Sequence, residues 1–215
     1  MSIFGNKKIT TLYVILLLLI FTLNLSACNQ INTSEIEDKQ LNNSIKTYLP
    51  LNEGMKYSYK GEGNEFASIK RKNMFIEDNY LQFTENNGGT VVVKIYKVSD
   101  QQISEVYKQG EFYEENNLIS KVKEKENINQ IILKAPLKVG NSWNNNNQKR
   151  EIVSLDQKVE VPAGIFYQVI KIKINYKDST NIGYEFYAPN IGLIKTEYRG
   201  EGFVIKSLLE SLSID

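Results

Sequence analysis

Chemistry in this chain must start from one thiol or from carboxylates. Cys28 is the sole cysteine in 215 residues, and histidine is absent. A lone cysteine forms no internal disulfide, while imidazole-ligated zinc sites, Ser-His-Asp hydrolysis and Cys-His catalysis each lack an essential side chain. Glu111, Glu114 and Glu115 cluster beside Phe112 and Tyr113. Such a cluster serves glycan hydrolysis only if two carboxyls stand about 5 Å apart for retention, or roughly 6.5 to 9.5 Å apart for inversion. Linear spacing sets neither distance, and a charged loop or edge is the ordinary explanation. Asp and Glu nowhere take the order of an EF-hand loop. The reading is therefore no catalytic residue, no metal and no cofactor.

The surroundings of Cys28 are more specific. Lys7 and Lys8 precede an apolar run from Leu12 to Phe21, and Leu25-Ser26-Ala27 lead into the cysteine. The run is far shorter than the roughly 20 apolar residues of a helical membrane span, and a basic start before a short apolar core marks an export signal. In this order the residues resemble the bacterial lipoprotein signal: leucine, two small residues, then cysteine. The resemblance implies cleavage between Ala27 and Cys28 and a thioether-linked diacylglycerol on the Cys28 sulfur. Two acyl chains anchor stably, since each buried methylene contributes about 0.8 kcal/mol. The expected partner of the N-terminus is thus the bilayer, with the protein lipid-anchored on the extracytoplasmic face of the cell membrane.

Charge narrows the remaining partners. Without residues 1–27, 24 basic side chains face 25 acidic ones. A near-neutral body lacks the field that gathers nucleic acid, so no nucleic-acid partner is expected. Lys121-Val122-Lys123-Glu124-Lys125 reads as alternating decoration on the wet face of a strand.

Residues 28–47 read as the lipidated start and a polar tether, with Glu37 to Tyr48 a candidate short helix. Beyond Pro50 the pattern is strand-like. Gly88-Gly89 turns the chain before Thr90–Tyr96, which is rich in β-branched residues, and Ile170, Ile172, Ile174 and Tyr176 alternate with Lys171, Lys173 and Asn175. Period two marks half-buried antiparallel strands. Phe112-Tyr113 and Leu118-Ile119 read as segments joined by an Asn116-Asn117 turn, and Phe203–Leu212 fits either a strand or a terminal helix. The expected fold is mainly β: a curved antiparallel sheet assembly, in two related halves or as an open half-barrel, with few short helices.

Two corners look alike. Pro50-Leu51, Gly54 and Tyr57 match Pro136-Leu137, Gly140 and Trp143 in spacing. Proline and glycine shape a turn, and the aromatic starts a strand packed on the core. This divides the folded part into units at 48–134 and 135–215. In the second, Pro136–Trp143 is followed by Val161-Pro162-Ala163-Gly164-Ile165-Phe166 and by Tyr187-Ala188-Pro189-Asn190-Ile191-Gly192. Together these resemble uncharacterised lipoproteins of clostridia, bacilli and their relatives, a group that implies an antiparallel sheet assembly and supplies no activity. Chemically, Pro162, Gly164, Pro189 and Gly192 suit turns, with Phe166 and Tyr187 flanking them as strand anchors.

A surface module binding an envelope protein or glycan follows from this composition. The alternative is a carrier or chaperone holding an apolar, lipid-like molecule in the concave face of the sheet. Tyr57, Tyr59, Tyr96, Tyr107, Tyr113, Tyr176, Tyr184 and Tyr187 are the candidates for lining such a groove.

Overall fold

The alternation at Ile170, Ile172 and Ile174 buries all three, while Lys171 and Lys173 remain partly accessible. The same logic builds the whole sheet. A computed structural model of the chain describes residues 44–214; Ala27, Cys28, the export signal and most of the tether lie outside the described residues. Six strands run in succession: β1 (Met55–Glu62), β2 (Ile69–Glu77), β3 (Tyr80–Asn86), β4 (Val91–Val98), β5 (Gln102–Gln109) and β6 (Gln130–Lys134). Six more follow: β7 (Ser142–Asn144), β8 (Gln148–Val161), β9 (Gly164–Tyr176), β10 (Ile182–Ala188), β11 (Gly192–Gly200) and β12 (Phe203–Ile214).

Within each run of six, neighbours in sequence are neighbours in the sheet, and the ladders are antiparallel. The remaining ladder joins β12 to β1, so the order runs from β6 back to β1 and then from β12 back to β7. Bent round, the sheet nearly closes as a barrel. Its free edges meet through side chains: Trp143 Nε1 donates to Ile131 O at 2.9 Å, and Ile131 N donates to Asn145 Oδ1 at 3.0 Å. Asn145 Nδ2 also donates to Ile131 O at 3.1 Å. The asparagine amide stands where a strand backbone would otherwise pair.

The turns follow local chemistry. Asn86 Oδ1 accepts from Gly88 N and Asn87 Oδ1 accepts from Gly89 N and Thr90 N, which fixes the β3–β4 hairpin. Gly54 and Gly140, one in each look-alike corner, both adopt positive φ, 77° and 86°. Tyr57 and Trp143 then enter β1 and β7, the first strands of each run of six. Pro162-Ala163 turn β8 into β9, with Val161 opposite Gly164 and Val159 opposite Phe166. Pro189-Asn190-Ile191 turn β10 into β11, with Asn190 in the left-handed region.

The interior is filled from both runs of strands. Leu81, Phe83, Ile103 and Leu133 meet Trp143, Ile152, Ile170, Ile172 and Tyr187 in one cluster. Ile45, Tyr48 and Leu49 join it from a 3-10 turn at Ile45–Tyr48, held where Asn190 N donates to Thr47 O at 2.8 Å. Three register shifts and a positive φ at Gln168 bend the β8–β9 hairpin, whose tip reaches β12 through Ala163 N to Leu209 O at 3.0 Å.

Two local expectations need correcting. Lys121–Glu124 belongs to a helix, α1 (Ile119–Glu124), and not to a strand. Ile119 and Val122, three apart, are both buried beneath it with Tyr80, Ile95 and Val106, so helical spacing wins over charge alternation. Phe112-Tyr113 is non-strand and Leu118 caps α1, so no hairpin forms at Asn116-Asn117. Of the helix expected over Glu37–Tyr48, residues 37–43 lie outside the described residues, and Ile45–Tyr48 form a 3-10 turn. Phe203–Leu212 resolves as strand, because β12 fills the gap between β1 and β11.

Candidate functional site

Alternation on β1 and β2 turns Tyr57, Tyr59, Arg71 and Asn73 inward, which sends Lys56, Ser58, Lys70 and Lys72 outward. Cross-strand register then assembles a floor four strands wide. Ser213, Lys56, Lys72 and Thr84 form one row across β12, β1, β2 and β3; Ser211, Ser58, Lys70 and Asn86 form the next. A wall rises from the segment between β5 and α1, carrying Phe112, Tyr113, Glu114 and Glu115. The enclosed groove has a volume of 420 Å³.

Gln82 holds that wall in place. Fully buried on β3, it donates from Nε2 to Asn116 O and accepts at Oε1 from Leu118 N, both at 2.7 Å. Phe112 N adds a bond to Val91 O at 3.0 Å. Replacing Gln82 with alanine strands two backbone groups. An orphaned group costs about 1–3 kcal/mol if it stays buried; Asn116 is exposed and Leu118 half-buried, so water meets part of the demand and Gln82→Ala is expected to lower stability by about 1–3 kcal/mol in all. Amides from Phe112 to Leu118 should exchange faster in the variant by hydrogen–deuterium mass spectrometry; unchanged protection there would refute the clamp.

Lys56 stands directly opposite Lys72 in the ladder. Ser58, Lys70 and Asn86 also line a second hollow of 700 Å³ that extends past Lys60 to Gly88. The depression therefore follows β1 from Lys56 to Lys60, roughly 13 Å at about 3.3 Å per residue. Carboxylates border both hollows: Glu114, which accepts from Asn116 Nδ2, and the exposed Glu115 on the wall of the first, and Glu65 and Glu210 in the second. The 420 Å³ groove's acids are sequence neighbours on one wall, with lysines and hydroxyls on the floor, so no second carboxylate opposes them across it. Among the described residues no cluster of acidic side chains is arranged to hold a metal ion.

Charged groups also lie on the inner face. Burial alone would pull the Lys94 ammonium down, but Glu85 at 2.6 Å holds it above its ordinary range. Burial would raise Glu85; Lys94 and Arg71 outweigh it and keep that carboxyl low. Glu105, buried with weaker compensation from Lys94 and Lys108, is pushed up. Arg71 sits 3.7 Å from the centre of the Phe83 ring, and Phe83 meets Tyr96 edge to face. Of these groups only Arg71 also borders the groove; Lys94, Glu85 and Glu105 do not line it.

The residues singled out from sequence disperse. Pro136, Gly140, Trp143, Pro162, Gly164, Phe166, Tyr187, Pro189 and Gly192 shape turns or the core, and none lines the groove. Of the tyrosines, Tyr57 and Tyr113 reach it, Tyr113 being 70% exposed at its mouth; Tyr59 and Tyr187 are buried elsewhere. Glu114 and Glu115 do belong to it. The lysines and Gln82 carried no signal in sequence beyond the alternation of their strands.

Fold and groove define a class of structure: a nearly closed, twelve-stranded antiparallel meander with a basic depression on its outer face. No protein-family model matches the chain, and no curated protein matches it. Two solved structures are similar. One is a protein from Bacteroides fragilis, inferred to be exported and described as having a YmcC-like fold, with 17% identity and a TM-score of 0.46, covering 78% of this chain and 99% of its own. The other is a protein from Parabacteroides distasonis inferred to be a lipoprotein, with 17% identity and a TM-score of 0.43, covering 78% of this chain and 98% of its own. Likenesses at this level assign no activity.

Proposed function

We propose that the chain is an extracytoplasmic lipoprotein, anchored through Cys28, whose folded part is a non-catalytic binding module of the cell envelope. The observation that carries the binding reading is the groove: an open, lysine-floored depression built from four strands, with no opposed carboxylates. The Leu25–Cys28 pattern supports the anchor. A carrier of apolar molecules needs a continuous apolar hollow inside the sheet, whereas Leu81, Phe83, Ile152, Ile170 and Ile172 occupy that face at 0% exposure.

Fractionation tests the anchor. The full chain should partition with membranes and, by intact mass, begin at a diacylglycerol-modified Cys28. Cys28→Ala should stay unmodified and uncleaved at that site. An unmodified wild-type chain that keeps residues 1–27 would overturn the lipoprotein reading.

A further inference from the structure

We infer that the free edge of β12, over Glu210–Ile214, binds an extended peptide segment of an envelope protein by strand addition; this deepens the binding-module reading and rests on it. β12 pairs with β11 only from Phe203 to Leu208, whereas its ladder with β1 continues to Ile214. At the fork Glu210 is the extra residue of a bulge, which bends the strand locally. Other groups occupy the carbonyls there. Ile191 O and Leu193 O accept from Tyr57 Oη at 3.2 Å and Tyr59 Oη at 2.8 Å, and Leu209 O accepts from Ala163 N at the β8–β9 tip. From Glu210 to Ile214 every residue is exposed, and among the described residues no strand pairs with that side. About 16 Å of backbone edge is left, at roughly 3.3 Å per residue.

The backbone dictates the kind of occupant, because a row of unpaired N–H and C=O groups is completed by another extended chain. The two faces add a pattern. Ser211 and Ser213 point to the outer face, where both line the 420 Å³ groove; Leu212 and Ile214, 37% and 63% exposed, point to the other. A segment alternating polar and apolar residues matches both faces, and its polar residues continue the groove floor. Elsewhere the sheet guards its edges. β6 and β7 are short and sealed by Trp143 and Asn145. The outer side of β8 beyond Ile152 carries register shifts and the exposed Asp156, Lys158 and Glu160. Bulges and charges of this kind discourage pairing, and Ser211–Ile214 has no bulge, charge or proline.

The test uses the full-length lipoprotein in lipid nanodiscs and two probes: a short synthetic peptide alternating valine and threonine, with lysine ends for solubility, and a neutral maltodextrin. The peptide should bind by calorimetry, and hydrogen–deuterium exchange should slow at Ser211–Ile214. Methylating the peptide's backbone nitrogens removes its donors and keeps its side chains; binding should weaken about tenfold or more, the cost of one or two lost hydrogen bonds. Leu212→Lys, which puts a charge on the edge, should weaken the unmodified peptide by about the same factor, with matching circular dichroism melts establishing that the variant is folded. Peptide binding that survives methylation, or that protects Tyr113–Glu115 and not β12, overturns strand addition and leaves the groove as the binding surface. If only maltodextrin binds, the inference falls while the module reading stands. If neither probe binds, the inference falls and the module reading loses its support as well.

Discussion

Glu185→Leu is expected to destabilise the protein by about 3–5 kcal/mol, the penalty for leaving a buried charge without its partner. Arg150 on β8 reaches across β9 to the Glu185 carboxylate on β10, and Tyr187 Oη donates to the same oxygen at 2.5 Å. The Arg150 side chain is only 1% exposed, whereas Glu185 retains 21%. That asymmetry sets the order of effects. A guanidinium cannot shed its proton to escape the low dielectric, so deleting Glu185 strands a permanent cation. Arg150 Nε has no hydrogen-bond partner among the described residues, so the carboxylate is its principal compensation. The reverse change, Arg150→Met, leaves a carboxylate that keeps some solvent, keeps Tyr187 and can take up a proton. It should cost less than Glu185→Leu. The double variant Arg150→Met/Glu185→Leu should recover most of the loss, because well-packed apolar pairs replace buried ion pairs at little or no net cost. Urea unfolding followed by the fluorescence of Trp143 reads all four members of the cycle. Additive losses in the double variant would show that the two side chains are not coupled.

Tyr187 illustrates how function-like signals arise from packing. Burial, with the charge of Glu185, raises its phenol well above the ordinary tyrosine range. Such a shift marks catalytic groups in many enzymes, but structural ion-pair networks produce it as well. Here the hydroxyl is committed to a carboxylate that also holds Arg150, inside a filled core. Its role is to share the burden of the buried charges.

The sheet was legible in sequence where one face is apolar and the other polar. Ile170, Ile172 and Ile174 announce β9, and the Pro-Leu…Gly…aromatic corners announce the starts of β1 and β7. Charge alternation misled at Lys121–Lys125, where two apolar residues three apart, Ile119 and Val122, carried the decisive spacing. The groove was illegible for a different reason. Ser213 joins Lys56 and Lys70 only because β12 returns to pair with β1, more than 140 residues away in sequence. Linear reading sees three solvated polar residues on three strands. It likewise sees Gln82 as a polar interruption between Leu81 and Phe83, since nothing in the strand shows that a later loop will fold over its amide. Nothing in the sequence pairs Arg150 with Glu185, because their contact depends on which strands flank β9.

Trp143→Ala should produce the other large loss, about 3–5 kcal/mol, the usual cost of truncating a large buried aromatic. Two consequences combine at this site. The indole is 5% exposed and packs in the main cluster with Ile152 and Leu133, so its removal opens a cavity. Its Nε1 also donates to Ile131 O across the β6–β7 junction, which among the described residues is the one step between consecutive strands without a ladder. Asn145 cannot fully substitute, because its bonds to Ile131 depend on the β7–β8 turn that Trp143 anchors. Trp143→Phe separates the two effects: it keeps most of the buried ring and removes the donor, so the loss should fall to about 0.5–1.5 kcal/mol, the net worth of a typical hydrogen bond. Stability is best followed by circular dichroism, since Trp143 is the sole tryptophan. In both variants the Ile131 amide should lose protection against exchange before the β1–β12 ladder does, because the seam has side-chain bonds where that ladder has backbone pairs. Simultaneous loss at both places would mean that the barrel opens as one unit, with no weak seam.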